Sequence, residues 1–283
     1  MPGNQRVDYC EYPVPDPLRR HIACAWRLRE PRPAGRVQTI YPDGRCELIV
    51  HLQTPPLCWD TVIGWHLQAM TVFAAQRVVA VRLELDRPLD CVGFRLQPAA
   101  SAALTAERPH GLRDRIVDLS SIDHGFSIAL RAAVRAFASG SDAAVWRLLA
   151  RRIASHELDP RIETAVTRIE AGAGKARIDA TARAAGMSKR SFQIRFREQV
   201  GVSPKEFARL MRLQATLRAL DASNASISDV AADSGFADQA HATRELRRIT
   251  GLAPATLRAA LRKDRDGDAT VRLAAAFVRG IAA

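Results

Sequence analysis

Ile227-Ser228-Asp229-Val230-Ala231-Ala232-Asp233-Ser234-Gly235-Phe236 runs on through Leu246 to Gly251-Leu252-Ala253-Pro254, and the chain has already used this pattern once. The earlier copy is Ile178-Asp179-Ala180-Thr181-Ala182-Arg183-Ala184-Ala185-Gly186-Met187-Ser188, continuing through Phe196 to Gly201-Val202-Ser203-Pro204. Ile178 to Ile227 and Gly186 to Gly235 are each 49 residues apart, whereas Phe196 to Leu246, Gly201 to Gly251 and Pro204 to Pro254 are each 50 apart. The second copy thus carries one additional residue directly after its glycine, in a turn that tolerates insertion. Each copy reads as a short helix of small residues, a glycine able to take positive φ, an apolar residue (Met187 or Phe236) and an N-cap (Ser188 or Asp238) opening a second helix. Ala182 and Ala185, like Ala231 and Ala232, leave room for the two helices to cross closely. A single unit would pass for an ordinary αα-hairpin. Two at matched spacing point to paired helix-turn-helix units.

Between the copies, Phe207, Leu210, Met211, Leu213, Leu217 and Leu220 make an apolar stripe near helical period, with Arg209, Arg212 and Arg218 among them. A helix from Pro204 to about Leu220 spans about 25 Å. It suits a rigid spacer between two recognition helices about 34 Å apart, one turn of DNA. Charge follows the repeat. The 283 residues carry a net charge of +12, and residues 160–265, with 20 Lys and Arg against 11 Asp and Glu, hold +9 of it. Such local excess suits phosphate neutralisation, because basic side chains displace condensed counterions. A solvated basic surface is the plainer reading of charge taken alone.

Before residue 100 the texture is different. Val37–Tyr41 leads into the turn Pro42-Asp43-Gly44-Arg45 and then Cys46–Leu52; Thr61–Gly64, Met70–Phe73, Val78–Leu85 and Cys91–Leu96 are further strand candidates. Repeated short strands suggest a barrel or sandwich. Pro98–Leu104 reads as a short helix and Arg113–Leu119 as a connecting segment. Ile128, Val134 and Phe137 mark one later helix; Val145, Trp146, Leu148, Leu149 and Ile153 mark another, capped by Ser141 or Asp142. Asp159-Pro160 is a helix start. The fold expected is therefore two-domain: a β-rich regulatory barrel at 1–120, a helical connector and dimerisation segment at 121–157, an all-α double helix-turn-helix domain at 158–263, and a C-terminal extension at 264–283.

With 47% apolar residues the chain has the makings of a globular core, and no stretch approaches the ~18 apolar residues of a membrane span. No apolar signal core opens it. Five cysteines, at 10, 24, 46, 58 and 91, form no CxxC pair, so reduced thiols in a cytoplasm are expected. His51 and His66 are candidates to line a barrel, but the spaced His/Glu pattern of a metal site is missing, and no cofactor and no catalytic group are expected. Trp26, Trp59 and Trp65 either line an apolar pocket or fill the core.

The segment Gly235-Phe236-Ala237-Asp238-Gln239-Ala240-His241-Ala242-Thr243-Arg244-Glu245-Leu246-Arg247-Arg248-Ile249-Thr250-Gly251-Leu252-Ala253-Pro254 resembles the signature of the AraC/XylS family of bacterial transcription regulators, over about residues 160–262. The departures are Ala242 and Leu246, where the family often has large aromatics, and Leu257, where it often has tyrosine. Tyr41–Val50 and Val92–Pro98 resemble the amino-terminal domains of some members, which implies a cupin-like sensing or dimerisation module. The resemblance implies a cytoplasmic, nucleoid-associated regulator that binds double-stranded promoter or operator DNA, with a small-molecule effector, a homodimeric state and contact with RNA polymerase as further expectations.

Recognition helices set residues of their first turns against base edges. In the first unit the DNA-facing candidates are Ser188, Lys189, Arg190, Gln193 and Ile194, with Arg195 and Arg197 nearer the backbone. In the second they are Gln239, His241, Thr243 and Arg244, with Arg247 and Arg248 on phosphates. Arg pairs bidentately with guanine, Gln with adenine, and Ile makes apolar contact with a thymine methyl. Phe192 and Phe196 are read as core. Two other functions compete with a regulator: a cupin-type metal enzyme tethered to DNA, and a DNA-alkylation repair regulator. The first needs a metal-ligand cluster and the second a zinc-cysteine cluster, and the spacings supply neither.

Overall fold

The computed structural model describes residues 8–31, 36–60, 63–105 and 107–266. Among the described residues the strands come first: β1 (Asp8–Tyr12), β2 (Ile22–Glu30), β3 (Arg36–Ile40), β4 (Glu47–His51), β5 (Leu57–Asp60), β6 (Gly64–Leu67), β7 (Thr71–Ala74), β8 (Val81–Leu85), β9 (Leu89–Leu96) and β10 (Ile116–Asp118). They form two antiparallel sheets, one ordered β1-β2-β9-β4-β7-β10 and one ordered β3-β8-β5-β6. β9, LDCVGFRL, lies between β2 and β4 and is buried along its whole length, as an interior strand covered on both faces must be. Trp26 on β2 pairs with Gly93 on β9, and the indole lies so close over it that no side chain fits there.

The α-helices of the described residues follow: α1 (Leu119–Ile122), α2 (His124–Ala138), α3 (Ala143–Ile153), α4 (Pro160–Ala171), α5 (Ile178–Ala184), α6 (Lys189–Val200), α7 (Pro204–Ala222), α8 (Ile227–Asp233), α9 (Gln239–Thr250) and α10 (Pro254–Asp266). α2 and α3 are not a free connector. Their apolar faces, with Leu130, Val134, Phe137, Val145, Trp146, Leu149 and Ile153, share one core with Leu48, Val92, Phe94 and Leu96 of the larger sheet. Phe94, Phe137 and Trp146 meet edge to face at ring-centroid separations of 5.8–6.2 Å. Dimerisation through those apolar faces is thereby excluded, because the sheet already covers them. Ile128, grouped with them by periodicity, points the other way and is 56% exposed. The N-cap of α3 is Asp142, but its carboxylate bonds the Trp146 indole N–H at 3.2 Å instead of the helix backbone.

Several local expectations shift. Ile63 and Gly64 belong to the turn and start of β6, not to a strand at 61–64; Thr61 and Val62 lie outside the described residues. The strand expected at 78–85 begins at Val81, because Val78–Ala80 leave the sheet to touch the helical domain. Pro98–Leu104 is one 3-10 turn, Pro98–Ala100, with irregular turns after it, and Ile116–Asp118 within the expected connector pairs with β7. Residues 267–283, most of the expected C-terminal extension, lie outside the described residues.

The helical half follows its repeat closely. α5 and α8 are seven residues each, α6 and α9 twelve each. Gly186 (φ +64) and Gly235 (φ +77) supply the left-handed turn in each unit, which a β-carbon disfavours. Ser188 Oγ accepts the Ser191 N–H at 3.2 Å, and Asp238 Oδ1 accepts the His241 N–H at 2.6 Å. Ala182 and Ala231 are the buried small residues at the crossings; Ala232 is exposed and Ala185 only half-buried. α7 opens with a full capping box, Ser203 with Glu206, and at 19 residues spans about 28 Å.

Candidate nucleic-acid interface and the cavity behind it

One face of each recognition helix is apolar and buried: Phe192, Phe196 and Val200 on α6, Ala242, Leu246 and Ile249 on α9. Phe192, Phe196 and Phe207 stack in series at 5.5 and 5.7 Å, so the two aromatics of α6 are core. Ala242 and Leu246 close their core with less volume, packing with Phe236 and with Leu213, Leu217 and Leu257 respectively. At 100° per residue, Arg190, Gln193, Ile194 and Arg197 then fall together on the opposite face of α6. All four are exposed, Ile194 at 48%. Among the described residues neither arginine has an ion pair or hydrogen bond, which leaves both guanidinium forks open for a ligand.

The fifty-residue offset places Ala240, Thr243, Arg244 and Arg247 on the matching face of α9. Ala240, exposed where the first unit has Arg190, completes the matching face, and the fifty-residue spacing already carried that signal. Gln239 takes the position of Lys189 at the first turn. Several candidates also make contacts within the protein. Arg195 turns toward Asp159 (3.5 Å), Lys189 pairs with Asp179 (3.1 Å), and Arg248 approaches Glu245 (3.4 Å). His241 meets the Phe236 ring edge-on at 5.5 Å, and its Nδ1 accepts the Ala237 N–H at 3.4 Å, so it braces the turn. Thr243 donates to the Gln239 carbonyl at 2.8 Å. Ser188 serves as the cap of α6.

The arginines of α7 tie the units to one another. Arg209 reaches Glu245 of α9 at 3.3 Å; Arg212 donates to the Gly174 carbonyl at 3.1 Å and lies 5.5 Å from the Phe236 ring centroid.

The model for the family described as "Helix-turn-helix domain" matches residues 181–260. Residues 181–260 are an AraC-type helix-turn-helix domain. Residues 11–118 match a second family, described as a domain of unknown function (DUF6597). No curated protein matches the chain. Among solved structures the AraC-type domain is similar to the DNA-binding domain of the global transcriptional factor AdpA in complex with a target DNA, at 29% identity over 38% of this chain and 96% of that one, with a TM-score of 0.36. A transcriptional regulator from Chromobacterium violaceum is 25% identical over 35% of this chain and 90% of that one, TM-score 0.34. ToxT from Vibrio cholerae is 11% identical over 89% of this chain and 98% of that one, TM-score 0.46.

Behind the AraC-type domain, the two sheets enclose a cavity of about 130 Å³. Trp26, Leu28, Ile49, Val72, Leu83 and Leu85 give it apolar walls; Gln38, His51, Gln68, Arg45, Arg77 and Arg95 supply polar groups, and the carboxylates of Asp43 and Glu47 line it beside Arg95. Trp26 is thus a wall residue. Trp59 and Trp65 are not: they meet at 5.4 Å on the outer hairpin, with the Arg82 guanidinium 4.8 Å from the Trp59 ring. His51 lines the cavity, whereas His66 sits on β6 against the Gly64 carbonyl. Burial pushes the His51 ring down to about 4, against a smaller opposing pull from Gln68, so it is neutral at pH 7. Arg95 is held between Asp43 (3.1 Å) and Glu47 (2.9 Å). Burial pushes the Cys24 thiol up to about 11 and Cys46 up to about 12, and drives Cys91 higher still, which makes them poor thiolates. Among the described residues no group of three or more His, Cys, Asp or Glu is placed to hold a metal ion. No helix among them is long and apolar enough to cross a membrane.

The turn Tyr41–Arg45 joins this cavity to α7. Gln214 donates to the Pro42 carbonyl at 2.8 Å, Arg45 pairs with Glu170 at 3.0 Å, and Gly44 (φ +81) lies against Phe207 and Met211. Arg20–Glu163 and Arg113–Glu206, both 2.6 Å, complete the seam.

Proposed function

We propose that this protein is a sequence-specific transcription regulator that lays α6 and α9 into adjacent major grooves and is governed by a small effector in the amino-terminal cavity. The observation carrying this reading is the matched pair of basic faces, Arg190/Gln193/Ile194/Arg197 and Ala240/Thr243/Arg244/Arg247, on an AraC-type domain. Arg190 and Gln193 would read bases in one groove, Thr243 and Arg244 in the next, with Arg197, Arg247 and Arg248 on phosphates. The reaction performed is binding, with no chemistry at the DNA. The site of action would be the bacterial nucleoid, and RNA polymerase the next partner on the promoter. ToxT has been solved with an unsaturated fatty acid bound, and control by a bound small molecule is proposed for this chain too. Dimerisation would use a surface other than the inward faces of α2 and α3; Trp59, Ile63 and Leu67 on the outer hairpin are exposed and apolar.

The test is selection of binding sites from random duplex DNA by the full chain, with genome-wide binding in the native host. A single enriched motif with two half-boxes about one helical turn apart is expected. Enrichment of no motif, or of a single half-box read by one unit, overturns the reading.

A further inference from the structure

The loop from β7 to β8, Ala75–Ala80, holds both recognition helices by their C-terminal ends. The Gln76 side chain packs on Gly201, the C-cap of α6, close enough that a β-carbon there would lie 3.3 Å from Gln76 Cγ. Val78 is buried among the side chains of α4 and α6. The Ala80 N–H donates at 2.9 Å to the Ile249 carbonyl in the last turn of α9, an acceptor the helix itself leaves open. Six consecutive residues therefore touch the C-terminal ends of both α6 and α9.

The same loop forms part of the cavity wall, through Ala75 and Arg77. Arg77 lies there without an ion pair among the described residues: burial lowers its pKa, and Asp114 and Asp60 offset this only through longer-range attraction. Its Nη1 donates to the Asp114 backbone carbonyl at 2.7 Å, and its Nε is buried with no hydrogen-bond partner. The Asp114 carboxylate is engaged by the Val78 N–H (2.8 Å) and by Arg113 (3.2 Å). Among the described residues no carboxylate lies within ion-pair distance of Arg77. A guanidinium stays charged when buried, and a buried charge is stable only when paired. On β4, His51 is 4% exposed, lines the same cavity and has no hydrogen bond of good geometry to either ring nitrogen.

We propose that the cavity takes a small organic monocarboxylate, and that this ligand sets the spacing of the two recognition helices through Ala75–Ala80. The carboxylate pairs with Arg77, a hydroxyl on the ligand bonds neutral His51, and a compact apolar body faces the aliphatic wall. The volume of about 130 Å³ limits that body to roughly one ring, since a cavity of ~150 Å³ holds benzene, and it excludes a long acyl chain. Pairing draws the Arg77 guanidinium off the Asp114 carbonyl. The Gln76 amide on the Gly44 carbonyl (2.5 Å) holds the start of the loop, while Asp114 holds both Arg77 and the Val78 N–H, so release at Asp114 shifts Val78 and, two residues on, the Ala80 contact with Ile249. This deepens the effector reading above and rests on it.

The experiment uses the full chain, with benzoate and 4-hydroxybenzoate as probes and benzyl alcohol as the neutral control. Calorimetry should show at least one acid binding ten-fold or more tighter than the alcohol, with Arg77→Gln losing that margin and Arg77→Lys keeping part of it. On the selected duplex and on versions with one or two base pairs inserted between half-boxes, the acid should change the preference between spacings at least five-fold. Ala80→Pro, which deletes the N–H on Ile249, should bind the acid and lose the spacing response; Gln76→Ala, which loosens the α6 anchor, gives the same separation if the proline variant does not fold. Neither acid binding, equal binding to Arg77→Gln, or a spacing preference indifferent to bound acid each overturns the proposal. Affinity of the ligand-free protein for the selected duplex tests the regulator reading separately.

Discussion

Replacing Gly44 by alanine should unfasten the cavity turn from α7. Two costs add. At φ +81 the alanine pays the left-handed penalty of an L-residue, about 1–2 kcal/mol. Its methyl would also stand 2.6 Å from Met211 Cε and 2.8 Å from Phe207 Cε2. The methionine end swings away at little cost, but Phe207 is fully buried with its ring 5.7 Å from that of Phe196, and it has nowhere to go. Overpacking of this kind costs about 1–3 kcal/mol, so the total is about 2–5 kcal/mol, or roughly 3–8 °C in the midpoint of a chain this size. Gly140→Ala separates the terms, because Gly140 has φ +95 but nothing within 4 Å of the added methyl. Calorimetric unfolding of both variants should show Gly44→Ala as the costlier by the packing term, with Met211→Ala in the same chain restoring only part of it. Equal midpoints for Gly44→Ala and Gly140→Ala would show that the turn is not seated on α7, and the route from cavity to spacer helix would fail with it.

Residues 158–266 alone should bind the selected duplex and lose orders of magnitude of affinity between low and moderate salt if about 6–10 phosphates are contacted; gel shift across a salt series measures the slope, and a folded fragment without affinity at low salt contradicts it. Arg190→Ala, Gln193→Ala, Gln239→Ala and Arg244→Ala should each cost about 1–3 kcal/mol on the selected site and relax one or two base preferences, while Arg248→Ala weakens selected and random DNA alike. Losses at Arg190 and Gln193 should exceed those at Gln239 and Arg244, because Ala242 and Leu246 give α9 a thinner core than Phe192 and Phe196 give α6. His51 binds a proton at pH about 4 when folded and near 6.5 when unfolded, so acid favours the unfolded chain: stability should fall by about 3 kcal/mol as pH drops from 6.5 to 4, and His51→Gln should flatten that slope in denaturation at stepped pH.

The sequence by itself determined the double helix-turn-helix. Its signals are local: Ser188 and Asp238 cap helices a few residues away, Gly186 and Gly235 make single turns, and the repeat tests each reading against a second copy. The candidate face was legible for the same reason, since helical period alone separates Arg190, Gln193, Ile194 and Arg197 from Phe192 and Phe196. What tertiary structure decided was everything carried by contacts distant in the chain. β1, β2 and β10 have no turn signal strong enough to announce them, and exist because β9 and β7 offer edges to pair with. The inward faces of α2 and α3 read equally well as a dimer interface until a sheet nearly a hundred residues earlier is seen to cover them. Arg195 and His241 carry the right chemistry for DNA, but a carboxylate 36 residues away and a neighbouring ring claim them. Arg77 gave no sign at all, because a lone arginine beside a strand pattern is ordinary, and only packing shows that its guanidinium lies at the cavity wall with no ion pair among the described residues.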